Sequence, residues 1–262
     1  MPSYTINQLD AIRVAELRLL MQKHGGLFSG ANILEIGTGT GAQLRELSKV
    51  ATSAIGVDLR SSHYEPPCSN FIYYDGVNLP FADGSFDVIY SSNTLEHVLD
   101  EPALHAEFMR VMRPGAVAVH LVPTCAWRLW TTAVSYLMLP TRALSFVRRS
   151  SEQSLGENFP TSVPRSMGAR VFDLICPPRH GERGNRFTEW WHFRARSWRR
   201  RFETLGWTVE HVEGVGLFYT GNLFGASLMP MKRRERLARI LGSACLIVVL
   251  RRRSLSPVRD TR

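Results

Sequence analysis

The amino-acid sequence predicts a doubly wound α/β fold, in which helices cover both faces of a parallel sheet. Three observations predict it. Short apolar segments of strand length alternate with helical patterns from residue 5 to residue 122, as expected for a sheet buried on both faces. A glycine-rich segment, Gly37 to Gly41, stands where the first predicted strand turns into a helix. The composition, with 44% hydrophobic and 21% charged residues in 262, excludes a disordered or collagen-like protein.

The predicted elements begin with an amphipathic helix over residues 5–23, which ends at Gly25-Gly26. Asn7 and Asp10 are the candidates for capping its start. The elements that follow are, in chain order, strand 33–36, helix 42–50, strand 54–57, strand 71–74, strand 86–90, helix 101–112 and strand 116–122. We interpret residues 1–124 as one core domain.

The alternation of strands and helices stops at Pro123. Residues 125–192 combine an aromatic-rich apolar segment with a stretch rich in proline and glycine, which is loop chemistry. We predict that they form an insertion or lid after the fifth strand and contribute to substrate binding. Residues 193–262 are predicted to complete the sheet, with helix 193–205, strand 207–212, a helical stretch near 231–241 and strand 244–250.

The net charge of +9 is unevenly distributed along the chain. Residues 1–124 contain 8 Lys and Arg against 13 Asp and Glu, a net charge of −5. Residues 125–262 contain 24 against 10, a net charge of +14. Such a basic half attracts phosphate, acidic lipid headgroups or nucleic acid, and the alternative is a set of solvated surface arginines with no partner.

Cysteine usage and apolar segments favour a reduced, cytoplasmic compartment. Four cysteines lie far apart with no C-x-x-C pair, so we predict neither a redox dithiol nor a metal site. The first residues show no basic stretch followed by an apolar region, as a secretory signal would. The apolar segment 129–141 has 13 residues, which is short of the roughly 20 that span a bilayer.

The glycine-rich segment Glu35-Ile-Gly37-Thr38-Gly39-Thr-Gly41 is the strongest functional signal. Glycines there let the backbone approach a ligand, and the following helix N-terminus offers N–H groups to an anion. Gly37, Gly39 and Ala42 also satisfy a dinucleotide-binding fingerprint, with Asp58 at the expected distance for a ribose-binding acid. The glycines alone therefore leave the ligand open.

Acidic residues beside the glycines favour a partly cationic ligand. Glu35 would repel a pyrophosphate but tolerates an ammonium group. S-adenosylmethionine fits, because it offers an ammonium and a sulfonium to acidic surroundings and a ribose diol to Asp58. Asp75, followed by Gly76 after the third strand, can accept the adenine amino group.

Four segments in this order resemble the class I S-adenosylmethionine-dependent methyltransferases, in particular the branch called methyltransferase type 11. They are ILEIGTGTG at 33–41, GVD at 56–58, YYDGVNLPFADGSFDVIYSSNTLEHV at 73–98 and RVMRPGAVAVHLVP at 110–123. The resemblance implies a Rossmann-like seven-stranded sheet whose last strand is antiparallel. By position it implies a cofactor site made of Glu35, Gly37, Thr38, Gly39 and Gly41 at the amino-acid end, Asp58 and Leu59 at the ribose, Asp75 and Gly76 at the adenine, and Ser91, Ser92 and Asn93 at the methyl donor.

Each candidate residue also has a structural interpretation. The glycines can form a plain turn, Asp58 can cap a helix, and Asp75-Gly76 is a common turn pair. His180, in a Gly-rich loop, is the preferred catalytic base, and the alternative is a surface histidine. His97, next to Glu96, is a second acid-base candidate, for which positioning the following helix is the favoured interpretation.

These features predict an S-adenosylmethionine-dependent methyltransferase acting on a small-molecule, saccharide or lipid-linked acceptor. Aromatics and arginines flanking 127–149 suit contact with an anionic membrane face, although this segment can equally pack inward. An RNA methyltransferase is the alternative that the basic half suggests. Two observations disfavour it. Strand four ends in Ser91-Ser-Asn-Thr94 rather than in the Asp/Asn-Pro-Pro-aromatic signature of enzymes that methylate the amino groups of bases. The Pro-Cys pair that RNA cytosine-5 methyltransferases carry after this strand is also missing. A nicotinamide-dependent oxidoreductase and a non-catalytic cofactor-binding protein also remain open.

Overall fold

The computed structural model of the chain describes residues 6–60, 69–141, 143–144, 168, 179–185, 188–223 and 229–253. Its strands are β1 (Asn32–Ile36), β2 (Ser53–Leu59), β3 (Phe71–Tyr74), β4 (Phe86–Ser92), β5 (Met112–Pro123), β6 (Trp207–Gly214) and β7 (Cys245–Arg252). Its helices include α1 (Ile6–His24), α2 (Ala42–Leu47), α3 (Glu101–Val111), α4 (Cys125–Leu137), α5 (Glu189–His192), α6 (Ala195–Thr204) and α7 (Met231–Leu241). Short 3-10 turns occupy Gly25–Leu27 and Leu95–His97.

All seven strands form one sheet in the order β3-β2-β1-β4-β5-β7-β6. Strands β1 to β5 are parallel, and β7 lies antiparallel between β5 and β6. The predicted seven-stranded, Rossmann-like α/β fold with an antiparallel last strand is thereby confirmed. The strand order reverses direction between β1 and β4, which is the point where open α/β sheets bind ligands outside the carboxyl ends of their strands.

The central strands are buried on both faces. Ile33, Leu34 and Ile36 of β1 are fully buried, and β4, β5 and β7 show similarly continuous buried apolar runs. Continuous runs, rather than alternation of apolar and polar residues, are what a sheet covered by helices on both sides requires. The core thus holds the carboxyl ends of β1, β2 and β4 in a fixed relation.

The predicted first helix is confirmed, but its predicted cap is wrong. Ile6 is already helical, so Asn7 lies inside α1 and cannot cap it. The carboxylate of Asp10 instead accepts a hydrogen bond from Thr40 Oγ1 at 2.7 Å. Burial of Ile12, Leu17 and Leu20 seats α1 against the core.

Element boundaries differ from the sequence prediction where pairing or packing extends or shortens an element. β5 begins at Met112 rather than 116, because Met112 pairs with Phe86 across a local irregularity in the ladder. α2 ends at Leu47 rather than at residue 50. Most of the predicted insertion lies outside the described residues, including Phe146, Pro160, Pro164 and Cys176. In the part of the chain that the structure describes, no helix has both the length and the apolar content to cross a membrane.

Two buried tryptophans join the chain after residue 193 to β5 and α3. Trp198 of α6 is fully buried, and its Nε1–H donates to the carbonyl of Pro123 at 3.0 Å. Trp207 at the start of β6 donates from Nε1 to His105 Nδ1 at 3.0 Å. Burial lowers the pKa of His105 to about 3, which keeps its imidazole neutral and able to accept this bond. Both indoles therefore combine apolar burial with a satisfied polar atom.

We expect Trp198→Ala to lower the free energy of unfolding by about 3–5 kcal/mol, because it leaves a large cavity and an unpaired carbonyl. Trp191→Ala is the matched control, since Trp191 is 59% exposed, and should cost about 1 kcal/mol or less. Urea unfolding followed by circular dichroism measures both. Similar losses in the two variants would contradict the assignment of Trp198 to the core.

Candidate active site

A cavity of 810 Å³ opens at the carboxyl ends of β1, β2 and β4. We call one part of its wall the glycine-loop side and the other the α4 side. The glycine-loop side includes Gly37, Thr38, Gly39, Thr40, Asp58, Leu59, Tyr74, Asp75, Gly76, Ser92 and Asn93. The α4 side includes Trp127, Arg128, Thr131, Ser135, Arg179, His180 and residues 219–223. Leu9, Asp10 and Arg13 of α1 and the segment around His97 also line the cavity. One compartment thus joins most of the predicted cofactor residues to the two predicted acid-base histidines, whereas Glu35, Gly41 and Ser91 are not in its wall.

Gly37 is required by both backbone conformation and space. Its φ of +75° lies in the left-handed region, which side chains other than glycine rarely adopt. A Cβ at this position would lie 2.4 Å from Thr94 Oγ1. The N–H groups of Gly37 and Thr38 both donate to the carbonyl of Val57 in β2. The loop is therefore anchored to the neighbouring strand before any ligand contacts it.

Asp58 ties the end of β2 to the glycine loop. Its Oδ2 accepts the N–H of Gly39 and its Oδ1 accepts the N–H of Leu59, each at 2.7 Å. Each carboxylate oxygen has a further lone pair, so Asp58 retains capacity for two donors from a ligand. Its position in the cavity wall is compatible with the predicted contact to a ribose diol.

Glu35 lies behind the lining of the cavity rather than in it. Its side chain is buried between Gly56 and Tyr90 of the flanking strands, and Oε2 has no hydrogen-bond donor among the described residues. Burial, followed by the charge of Asp58, raises the pKa of Glu35 well above its ordinary value. A cationic ligand in the cavity would offset part of this penalty.

The side chain of Asp75 is engaged in its own turn. Oδ1 accepts the N–H groups of Val77 and Asn78, and Oδ2 accepts Asn78 Nδ2 at 2.6 Å. These bonds lower the pKa of Asp75. Gly76 follows with a φ of +99°, as the turn interpretation requires. Both residues still line the cavity, and the predicted adenine contact stays a prediction.

The three residues predicted at the methyl donor divide between the core and the cavity. Ser91 is fully buried, with its Oγ 2.8 Å from His120 Nδ1, and does not line the cavity. Ser92 and Asn93 do line it. Successive residues of a strand point to opposite faces, which is why neighbours in sequence separate here. Asn93 has a φ of +52°, a conformation that asparagine tolerates better than most residues.

A buried polar network that sequence reasoning missed ties α1 to β7 beside the cavity. Tyr219 donates from its hydroxyl to Glu16 Oε1 at 3.0 Å, and Arg13 donates to both residues. Cys245 Sγ lies 3.2 Å from the Tyr219 hydroxyl and donates to Asn93 Oδ1 at 3.4 Å. Arg13, Tyr219 and Asn93 all line the cavity. The network therefore fixes wall residues that come from three distant parts of the chain.

The two predicted catalytic histidines meet on the α4 side around one carboxylate. His180 Nε2 lies 3.6 Å and His97 Nε2 lies 3.9 Å from Glu96 Oε1. The two imidazole rings are 4.9 Å apart, and His180 also contacts the ring of Trp127 at 4.5 Å. Burial opposes ionisation of Glu96, but the neighbouring His180 and then His97 hold its pKa below the ordinary value.

Glu189 holds the loop that carries His180. It is fully buried, and its Oε1 accepts the N–H groups of His180 at 2.7 Å and Gly181 at 2.6 Å. Its Oε2 pairs with the buried Arg128 of α4 at 3.0 Å. The residues around it in sequence, Trp190 and Trp191, are not in the cavity wall and contact the Arg194 guanidinium instead. Nothing in the local sequence distinguishes the buried Glu189 from an exposed glutamate.

Comparisons with known proteins point to one family. A family model described as a methyltransferase domain matches residues 10–159. An uncharacterised methyltransferase of Mycobacterium sp. (strain KMS) is 39% identical over 95 residues, which are 34% of this chain and 38% of that protein. O-methyltransferase rstn1 of Aspergillus nomiae is 32% identical over 121 residues, which are 41% of this chain and 54% of that protein.

The chain thus spans between 38% and 54% of the length of these two relatives. Among solved structures, a similar fold occurs in a chain of the complex between the Haloferax volcanii Trm112 methyltransferase activator and a methyltransferase. The TM-score is 0.51 at 15% identity, with 91% of this chain and 92% of that chain covered. At this identity the likeness concerns the fold alone.

We expect Glu35→Gln to stabilise the ligand-free protein increasingly as pH rises. The pKa of Glu35 is raised in the folded state. The protonated side chain therefore contributes to the free energy of unfolding at low pH, and this contribution is lost as the pH rises from 4.5 towards the folded-state pKa. Within that interval the difference from the wild type should grow by about 1.4 kcal/mol per pH unit. Urea unfolding of both proteins across this pH range measures it.

The matched control is Glu46→Gln. Hydrogen bonding to Lys49 lowers the pKa of Glu46, so the stability it contributes is lost as pH falls, which is the opposite sign. If Glu35→Gln and the wild type kept a constant difference at every pH, Glu35 would not be a buried acid with a raised pKa.

Proposed function

The chain belongs to the methyltransferase domain family, as a class I S-adenosylmethionine-dependent member, and from this premise we propose that it methylates an oxygen atom of a small organic acceptor. The single observation that carries the proposal is the continuous cavity, because a methyl transfer needs donor and acceptor in one compartment. The O-methyltransferase relative from Aspergillus nomiae supports oxygen as the methylated atom.

The glycine-loop side fits S-adenosylmethionine on structural grounds. Gly37 and Gly39 line the cavity without side chains of their own, so that their backbone is accessible to a ligand. Glu35 provides a buried carboxylate oxygen that has no hydrogen-bond donor among the described residues. We assign the amino-acid end of the cofactor to the loop of Gly37, Thr38 and Gly39, and the ribose hydroxyls to Asp58. When bound, the cofactor supplies a methyl group made electrophilic by its positively charged sulfur.

The α4 side is assigned to the acceptor. Trp127 and Thr131 of α4 give it an apolar and a hydroxyl-bearing surface, and His97 and His180 stand at its edge. Alignment of the acceptor oxygen with the methyl group supplies most of the rate enhancement in such a transfer. The acceptor hydroxyl must also lose its proton, and we assign its activation to the cluster of Glu96, His97 and His180.

Exposed apolar side chains along α4 favour a lipid-linked acceptor as the second candidate. Leu137 is 69% exposed and Leu129 is 54% exposed, and other residues of α4, among them Trp127 and Thr131, line the cavity. A polar acceptor group on a lipid anchor would then enter the cavity while its chain lies on α4. The saccharide, lipid and RNA alternatives differ in which fraction of an extract becomes methylated.

We expect incubation with methyl-labelled S-adenosylmethionine and fractionated extracts to place label in the small-molecule or lipid fraction. The fractions to compare are lipids, saccharides, RNA and small metabolites, each with and without the protein. Label confined to RNA would replace the proposal with an RNA methyltransferase. Binding of the cofactor with no label in any fraction would favour a non-catalytic binding protein.

We expect Asp58→Asn to weaken S-adenosylmethionine binding by about 10-fold to 100-fold, because hydrogen bonds to a charged group contribute about 1.5–3 kcal/mol. Isothermal titration calorimetry measures the dissociation constant. Asp83→Asn is the matched control, since the Asp83 side chain is 80% exposed and pairs with Arg110 away from the cavity. Equal affinities in the two variants would remove Asp58 from the cofactor site.

A further inference from the structure

Three side chains at the edge of the cavity place metal-binding atoms close together. Glu96, His97 and His180 each offer one ligand atom, and these atoms lie within 4.8 Å of one another. The residues come from the 3-10 turn after β4 and from the loop at 179–185, which are far apart in sequence. We propose that they form a site for a divalent transition-metal ion of the zinc type.

The spacing of the three atoms favours a shared metal over hydrogen bonds among them. The distances from Glu96 Oε1 to His180 Nε2 (3.6 Å) and His97 Nε2 (3.9 Å) exceed the 3.2 Å limit of an N–H···O bond. Zinc–nitrogen and zinc–oxygen bonds of about 2.0–2.2 Å place neighbouring tetrahedral ligands about 3.3–3.5 Å apart. The two distances from Glu96 exceed this spacing by a few tenths of an ångström, and the ligand atoms of the two histidines, which lie within 4.8 Å, also approach each other when they bind the metal.

Glu96 provides an independent observation. Its side chain has no exposed surface, and neither carboxylate oxygen has a hydrogen-bond donor among the described residues. A buried carboxylate without donors is costly, and such groups are usually paired or coordinate a metal. The two imidazoles lie near Glu96 but too far for a hydrogen bond, and a divalent cation between the three side chains gives the carboxylate a direct bond.

The backbone around His180 is fixed as a metal ligand requires. Glu189 accepts the N–H groups of His180 and Gly181, and Glu182 donates its N–H to the carbonyl of Glu96 at 2.7 Å. A Cβ on Gly181 would lie 2.9 Å from that same carbonyl, so this close approach needs glycine. The loop that carries His180 is thus bonded directly to the turn that carries Glu96.

Two histidines and a carboxylate form a donor set that zinc enzymes use at catalytic sites, where a fourth position stays open. Here His97 and His180 line the cavity while Glu96 lies behind them, so the open position faces the acceptor. A hydroxyl bound there acidifies and releases its proton to solvent. Its oxygen then forms a bond to the methyl carbon, and the electron pair of the breaking sulfur–carbon bond returns to sulfur.

This catalytic role rests on the proposed methyl transfer, but the metal site itself does not. The sequence predicted no metal site because its cysteines lack the usual spacing, and histidine and glutamate ligands from separate segments leave no such pattern. Metal binding is therefore tested without the reaction, using the whole chain of 262 residues.

The experiment titrates chelator-treated protein with Zn²⁺ in competition with a chromophoric chelator, and with Co²⁺ followed by visible absorption. We expect one ion per chain, and binding at least about tenfold weaker in Glu96→Gln and His180→Asn. His24→Asn is the matched control, because His24 pairs with Glu213 at 2.8 Å away from the cavity and should leave affinity unchanged.

His97→Asn serves if the other two substitutions disturb folding, since the His97 side chain is 44% exposed. It should also weaken binding at least tenfold while leaving the thermal melting curve of the metal-free protein unchanged. The absence of stoichiometric Zn²⁺ binding, or equal affinity in His97→Asn and His24→Asn, would overturn the proposal. Zn²⁺ binding without methyl incorporation into any extract fraction would leave the site standing and remove the proposed reaction.

Discussion

The arrangement of the whole site depends on the anchoring of the glycine loop to β2. The carbonyl of Val57 accepts two N–H groups of the loop, and Asp58 accepts a third from Gly39. This bonding is possible because Gly37 adopts a left-handed backbone conformation in a space that Thr94 leaves free only for glycine. The ends of β1, β2 and β4 are therefore bound to one another, and their positions in the sheet determine the shape of the cavity.

The opposite wall is built on a different principle, namely buried charge. Glu189 joins Arg128 of α4 to the backbone of His180 and Gly181. Glu101, in turn, pairs with Arg183 of the same loop and with Arg201 of α6. Removing one partner of such a pair leaves a buried charge uncompensated, and this lowers the free energy of unfolding by far more than the intact pair contributes to it. These pairs hold a loop with few apolar residues in one position.

Local patterns predicted the sheet well, because strands and glycine turns depend on neighbouring residues. The strands at 71–74 and 86–90 and the loop at Gly37 were placed correctly to within two residues. The approach of His180 to Glu96 and the hydrogen bonds of Glu189 to the His180 loop were not predictable, because contacts between distant segments leave no periodic signal. Ser91 illustrates a third case, since only the strand register decides which serine faces the cavity.

Helix α1 precedes the sheet but still forms part of the cavity wall. Leu9, Asp10 and Arg13 line the cavity, and Asp10 accepts a hydrogen bond from Thr40 of the glycine loop. The first turns of α1 are therefore part of the ligand-binding compartment. Shortening the chain to its first strand would therefore remove part of the ligand compartment itself, and the resulting loss of activity would resemble the loss of a catalytic group.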